Sequence, residues 1–190
     1  MRAGATAMAR LAKLLATGFG VGYLPKAPGT AGSMLGFLLG LWLPLPGPTL
    51  SSLVIVLVVL GFGAAICTSA ERALKRHDPS CIVLDEIIGM WLVLAVASPF
   101  RFWMVADIRD AHAPIEVAVL ALDLALAFGL FRAFDIFKPA PLKRLARAPE
   151  GWGILLDDLG ASVYTLLALA AFRLMVVALN GSSAWSLIHA

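Results

Sequence analysis

Five apolar runs divide the chain, at about Ala31–Leu43, Leu50–Ala70, Ile87–Phe100, Ile115–Phe134 and Gly160–Leu179, and short polar segments join them. A helix crosses the hydrocarbon core of a bilayer with ~20 apolar residues. The second, fourth and fifth runs therefore predict full spans. The first and third are short, and predict helices that tilt little, extend into their polar flanks or enter the membrane part-way. Pro44, Pro46, Gly47 and Pro48 predict a tight turn that makes the first two runs a hairpin. Ahead of the first run, Met8, Leu11, Ala12 and Leu15 recur at helical spacing, with Arg10 and Lys13 off that face. That pattern predicts an amphipathic helix at the membrane surface, and it lacks the continuous apolar stretch of a cleaved signal peptide. The expected architecture is all-α. It is an integral membrane helical bundle of about five membrane-embedded helices plus the N-terminal amphipathic helix, with residues 1–190 as a single domain.

Composition agrees with the pattern. Of 190 residues, 61% are hydrophobic and only 14% charged, against about 25% charged in soluble domains. Those figures exclude a disordered chain, a nucleic-acid-binding module and a disulfide-stapled secreted domain. Cys67 and Cys81 form no Cys-x2-Cys or Cys/His metal spacing. The basic residues are distributed unevenly. Five crossings place eleven on one side: Arg2, Arg10, Lys13, Lys26, Arg72, Lys75, Arg76, Lys138, Lys143, Arg144 and Arg147. Only Arg101 and Arg109 fall on the other, while Arg132 and Arg173 lie within runs. Positive charge stays in the cytoplasm, so the first set, with the N-terminus, is expected there.

The same side carries the unusual residues. Asp85 and Glu86 lead into the third run, Asp135 closes the fourth, and Asp157 and Asp158 lead into the fifth. Five carboxylates at one membrane face repel one another, and a divalent cation is the simplest way to hold them together. With oxygen ligands alone the preferred ion is hard, Mg²⁺ before Mn²⁺ or Ca²⁺. Acids at helix N-termini also merely complement the helix dipole, a reading that does not reach Asp135 at a helix C-terminus. Arg132, Asp135 and Lys138 are three apart and share a face if the helix continues. An Arg and a Lys beside a carboxylate suit phosphate oxygens, although both side chains also snorkel readily to an interface. Gly29, Thr30, Gly32 and Ser33 offer amides and hydroxyls to an anion at a helix N-terminus. His77 is a minor candidate for general acid or base. Asp123 and Arg173 sit at matching depth in the fourth and fifth runs and predict an interhelical ion pair. Their alternative use is a proton relay, in a small transporter or channel.

Several chemistries are excluded. No Cys-x5-Arg phosphate loop occurs, no Asp precedes a Gly as in CDP-alcohol phosphotransferases, and no Asp-x-Asp pair of the haloacid-dehalogenase type is present. What remains resembles the phosphatidylglycerophosphatase A family of bacterial membrane lipid phosphatases. Its Pro-Gly-Thr-x-Gly-Ser pattern is matched at Pro28–Ser33, and Ile-Val-x-Asp-Glu-x2-Gly at Ile82–Gly89. Phe-Arg-x2-Asp-x2-Lys-Pro-x-Pro is matched from Phe131 to Pro141, and Gly-x-Gly-Ile-x2-Asp-Asp-x2-Ala from Gly151 to Ala161. Ser162 stands where the family pattern has Gly. The resemblance implies a phosphoric monoester hydrolase of phospholipid biosynthesis. It would remove the terminal phosphate from phosphatidylglycerophosphate with Mg²⁺, as a multi-pass protein of the bacterial inner membrane, facing the cytoplasm. Asp85, Glu86, Asp135, Asp157 and Asp158 are the expected metal set, with Asp85, Glu86, Asp135 and Asp158 catalytic. Thr30, Ser33, Arg132 and Lys138 are the expected substrate contacts. The expected partners are the phospholipid and the membrane, with no nucleic acid.

Overall fold

The computed structural model describes residues 2–46, 49–76, 79–97, 114–145, 149 and 151–180, and every regular element among them is helical. Helix α1 is Arg2–Ala16, and a 3-10 turn at Val21–Tyr23 leads to α2, Pro28–Trp42. Then come α3 (Leu50–Leu74), α4 (Leu84–Ala97), α5 (Pro114–Phe137), the single turn α6 (Leu142–Leu145) and α7 (Gly151–Asn180). Among the described residues, each of the five apolar runs forms a helix. The last begins at Gly151, more than two turns ahead of the expected Gly160, because Thr68 of α3 accepts the Gly151 amide at 3.0 Å and caps the new end. His77, Gly47 and Pro48 of the expected turn, residues 98–113 with Arg101 and Arg109, and the chain beyond Asn180 lie outside the described residues.

Among the described residues, two helices are long and apolar enough to cross a membrane: Leu50–Leu74, and Gly151–Met175 within α7. Helix α2, with 15 residues, is only about 22 Å long at 1.5 Å per residue, well short of a ~30 Å hydrocarbon core. Helix α4 is short for another reason. Ile87, Ile88, Met90, Leu92, Val93, Leu94 and Ala95 are buried around nearly its whole circumference, and α4 packs against α2, α3, α5 and α7. A helix apolar on every side belongs in an interior, and α4 is the axis of the bundle.

Helix α2 lies against α4 through Gly32, Gly36 and Gly40, one per turn. A methyl group on Gly32 would stand 2.8 Å from Val83 Cβ, on Gly36 2.9 Å from Ile87 Cα, and on Gly40 2.6 Å from Leu94 Cβ. Small residues four apart let two backbones approach where no hydrophobic effect drives helices together. Ser162 of α7 donates to the carbonyls of Gly89 (2.9 Å) and Asp158 (2.8 Å), so the residue in place of the family's Gly ties α7 to α4. Asp123 of α5 and Arg173 of α7 form the expected ion pair through two hydrogen bonds, 2.7 and 3.2 Å long. The stripe on α1 is divided differently from its sequence reading. Ala12 and Ala16 are buried and α1 packs on α3, while Met8, Leu11 and Leu14 face outward with Phe19, Tyr23 and Leu24.

Candidate active site

One end of the bundle gathers the start of α2, the start of α4, the end of α5 and the second turn of α7. Between them is a cavity of about 360 Å³ lined by Asp85, Glu86, Arg132, Asp135, Lys138, Asp157 and Asp158. Seven expected residues from three motifs thus share one space. Ser33 is buried and joins them indirectly: it accepts from Arg132 Nη1 at 3.1 Å and donates to the Gly29 carbonyl at 2.9 Å. Thr30 is not among the lining residues.

The five acids divide by partner. Arg132 is paired with Asp135, and Lys138 with Asp157. Asp85, Glu86 and Asp158 instead face one another, each offering a carboxylate oxygen within 4.8 Å of the other two. Oδ1 of Asp85, Oε2 of Glu86 and Oδ2 of Asp158 are buried without a hydrogen-bond partner, and so is Nε of Arg132. Asp158 is only 2% exposed. Leaving buried carboxylate oxygens unmatched is costly, and an oxygen-only donor set of this kind fits a hard divalent cation. Asp85 and Glu86 precede the apolar run of α4. Burial raises Asp85 well above the ordinary carboxylate range, and the charges of Glu86 and Asp158 add to it. Burial raises Glu86 as well. A cation among these oxygens would reverse both shifts.

Backbone geometry explains why Arg132 and Lys138 take different partners. Arg132 and Asp135 are one turn apart on α5 and pair as the spacing predicts. Helix α5 ends at Phe137, however, and Lys138 turns into the left-handed region at φ 44°, its amide donating to the Phe134 carbonyl at 2.9 Å. Lys138 therefore leaves the shared face expected of it and reaches Asp157 on α7. Burial alone would pull its ammonium down; the Asp157 carboxylate, with the charges of Asp158 and Asp135, outweighs that and holds it above its ordinary range. A contact not foreseen from the sequence is that of Gly29. Its α carbon comes so close to Glu86 that a methyl group there would overlap Oε1. The only sequence signal for it is the glycine itself in the helix-opening motif.

The phosphatidylglycerophosphatase A family matches residues 14–173, from the end of α1 through Arg173. The chain belongs to this family. Phosphatidylglycerophosphatase A of Haemophilus influenzae is 36% identical over 162 residues, covering 84% of this chain and 87% of its own. Phosphatidylglycerophosphatase A of Escherichia coli is 33% identical over 151 residues, 79% of this chain and 76% of its own. A Bacteroides thetaiotaomicron protein, provisionally named a phosphatidylinositol-3-phosphatase, is 34% identical over 168 residues, 86% of this chain and 94% of its own. No solved structure matches the chain. The segment matched to phosphatidylglycerophosphatase A holds every charged residue of the cavity, as well as Asp123 and Arg173.

Proposed function

We propose that this chain is a metal-dependent phospholipid phosphatase that hydrolyses phosphatidylglycerophosphate to phosphatidylglycerol and phosphate. The observation that carries the reading is the coincidence of unmet acceptors and an unmet donor in one cavity: three carboxylate oxygens on Asp85, Glu86 and Asp158, and Nε of Arg132. A divalent cation and a phosphate dianion would satisfy both. The donor set favours Mg²⁺, held by Asp85, Glu86 and Asp158. When bound, Mg²⁺ supplies Lewis-acid polarisation of phosphoryl oxygens and a lowered pKa for water. Arg132 and Lys138 draw the phosphate in and neutralise its charge as water adds to phosphorus and the glycerol oxygen leaves with a proton. Ser33 holds Arg132 in place, and the buried walls keep its guanidinium poorly solvated and strongly attractive.

Substrate and location follow from the same features. The Haemophilus influenzae and Escherichia coli relatives carry the name of the glycerophosphate activity, and the Bacteroides thetaiotaomicron name refers to a different phosphorylated headgroup. All three names describe a phosphatase acting on a phosphorylated lipid. The eleven bases on the side of the site support a multi-pass protein of the bacterial inner membrane with its cavity open to the cytoplasm. In that arrangement α3, α5 and α7 cross, and the shorter α2 and α4 are packed between them to complete five membrane-embedded helices.

Purified protein in lipid–detergent micelles should release phosphate from phosphatidylglycerophosphate with Mg²⁺ and stop with EDTA. Phosphatidylinositol 3-phosphate, offered in parallel, should turn over more slowly. Asp85→Asn, Asp135→Asn and Asp158→Asn should each lower the rate about 100-fold while the protein still folds. Full activity in all three would overturn the site.

A further inference from the structure

We infer that Asp157 is a positioning residue for Lys138, fixing its ammonium where the phosphate binds, and is not a ligand of the cation. This rests on the phosphatase reading above and assigns one carboxylate within it. Asp157 and Asp158 are neighbours on α7, so their side chains leave the helix about 100° apart. Asp158 turns to Asp85 and Glu86, while Asp157 crosses to Lys138 and stands outside the trio whose oxygens approach within 4.8 Å. Its side chain is 6% exposed and that of Lys138 35%, which places the carboxylate in the wall and leaves the lysine side chain partly open to solvent.

Lys138 needs such an anchor. A lysine ammonium rides on a flexible four-carbon stem and carries no directional fork. Here it follows the last residue of α5 in a left-handed conformation, φ 44°, which L side chains adopt at a cost. Strained backbone persists where the surroundings over-determine it. The Phe134 carbonyl fixes the turn and Asp157 fixes the tip. An ammonium has three protons; Asp157 takes one, and the others remain for an anion in the cavity. Arg132, held by Asp135 and Ser33, gives the site a second anchored cation.

Binding measurements separate this role from that of a ligand. Mn²⁺, as a stand-in for Mg²⁺, is titrated by electron paramagnetic resonance into the full chain in detergent. Inorganic phosphate is then titrated calorimetrically into the Mn²⁺-loaded protein. Asp157→Asn should keep its Mn²⁺ affinity within about two-fold while phosphate affinity falls about ten-fold, the scale of a lost charge-assisted hydrogen bond. Asp157→Glu should recover part of that loss. Lys138→Met should reproduce it, and the double variant should lose no more than either single one. Asp158→Asn should lose Mn²⁺ instead. If Asp157→Asn weakens Mn²⁺ as far as Asp158→Asn does, or if Lys138→Met leaves phosphate binding intact, the inference is overturned with the phosphatase reading still standing. If the parent protein binds no Mn²⁺, both are overturned.

Discussion

Gly29 has no side chain where Glu86 needs the space. Any β carbon there would displace Oε1 of Glu86 or push the first turn of α2 away from Arg132. Gly29→Ala should therefore cut turnover about 100-fold, because ångström-scale misplacement of a site group has that effect. The melting temperature in detergent should change little, and a mutant as active as the parent would show that Glu86 does not need this seat. Within the cavity the sequence was informative about identity and silent about which acid takes which partner, although it did predict the Asp123–Arg173 pair elsewhere. The residue types and the shared side of the membrane brought Asp85, Glu86, Arg132, Asp135, Lys138, Asp157 and Asp158 together in advance. The division of the acids into a facing trio and two cation-bound carboxylates depends on side-chain directions across three helices, α4, α5 and α7. Spacing along one helix does not reach that far: it sets Arg132 beside Asp135, and it applies to Lys138 only if the helix continues, whereas α5 ends at Phe137.

Among the helices formed from the apolar runs, α4 has the fewest described residues. A 14-residue apolar segment reads from sequence as a marginal span, yet α4 owes its stability to neighbours on every side, chiefly the glycine face of α2. Gly36 is the tightest of those contacts because the atoms it would meet, the Cα and carbonyl of Ile87, are backbone and cannot rotate away. Gly36→Leu should force α2 off α4 and cost about 1–3 kcal/mol, the range of overpacked cores. Thermal unfolding in detergent measures it, and an unchanged midpoint would mean that the two helices tolerate a wider spacing. The four-residue spacing of Gly32, Gly36 and Gly40 was present in the sequence. Its partner was not, because nothing along α2 states which helix will lie against it.

Across the whole molecule, two features link distant parts. Asp123 and Arg173 join α5 to α7 by two hydrogen bonds. Asp123→Asn and Arg173→Gln together should destabilise no more than the worse single change, a coupling of about 1 kcal/mol or more; additive losses would argue against the pair. In the proposed arrangement the charge bias sets the direction of α3. With Cys67 and Cys81 replaced by Ala, a membrane-impermeant maleimide should label Ser51→Cys in intact cells and Lys75→Cys only after permeabilisation. The reverse pattern would place the cavity on the outer side. Sequence alone determined that the chain is helical and apolar, which segments carry the charge, and which family it resembles. The first two are properties of composition and periodicity and the last of four short motifs, and all survive any arrangement of the helices. Tertiary structure decided that α4 is the axis, that α5 ends in time to turn Lys138 toward α7, and that three acid oxygens and one arginine nitrogen are left unmatched in one cavity. Each of these depends on distances between segments far apart in the chain, which only packing sets.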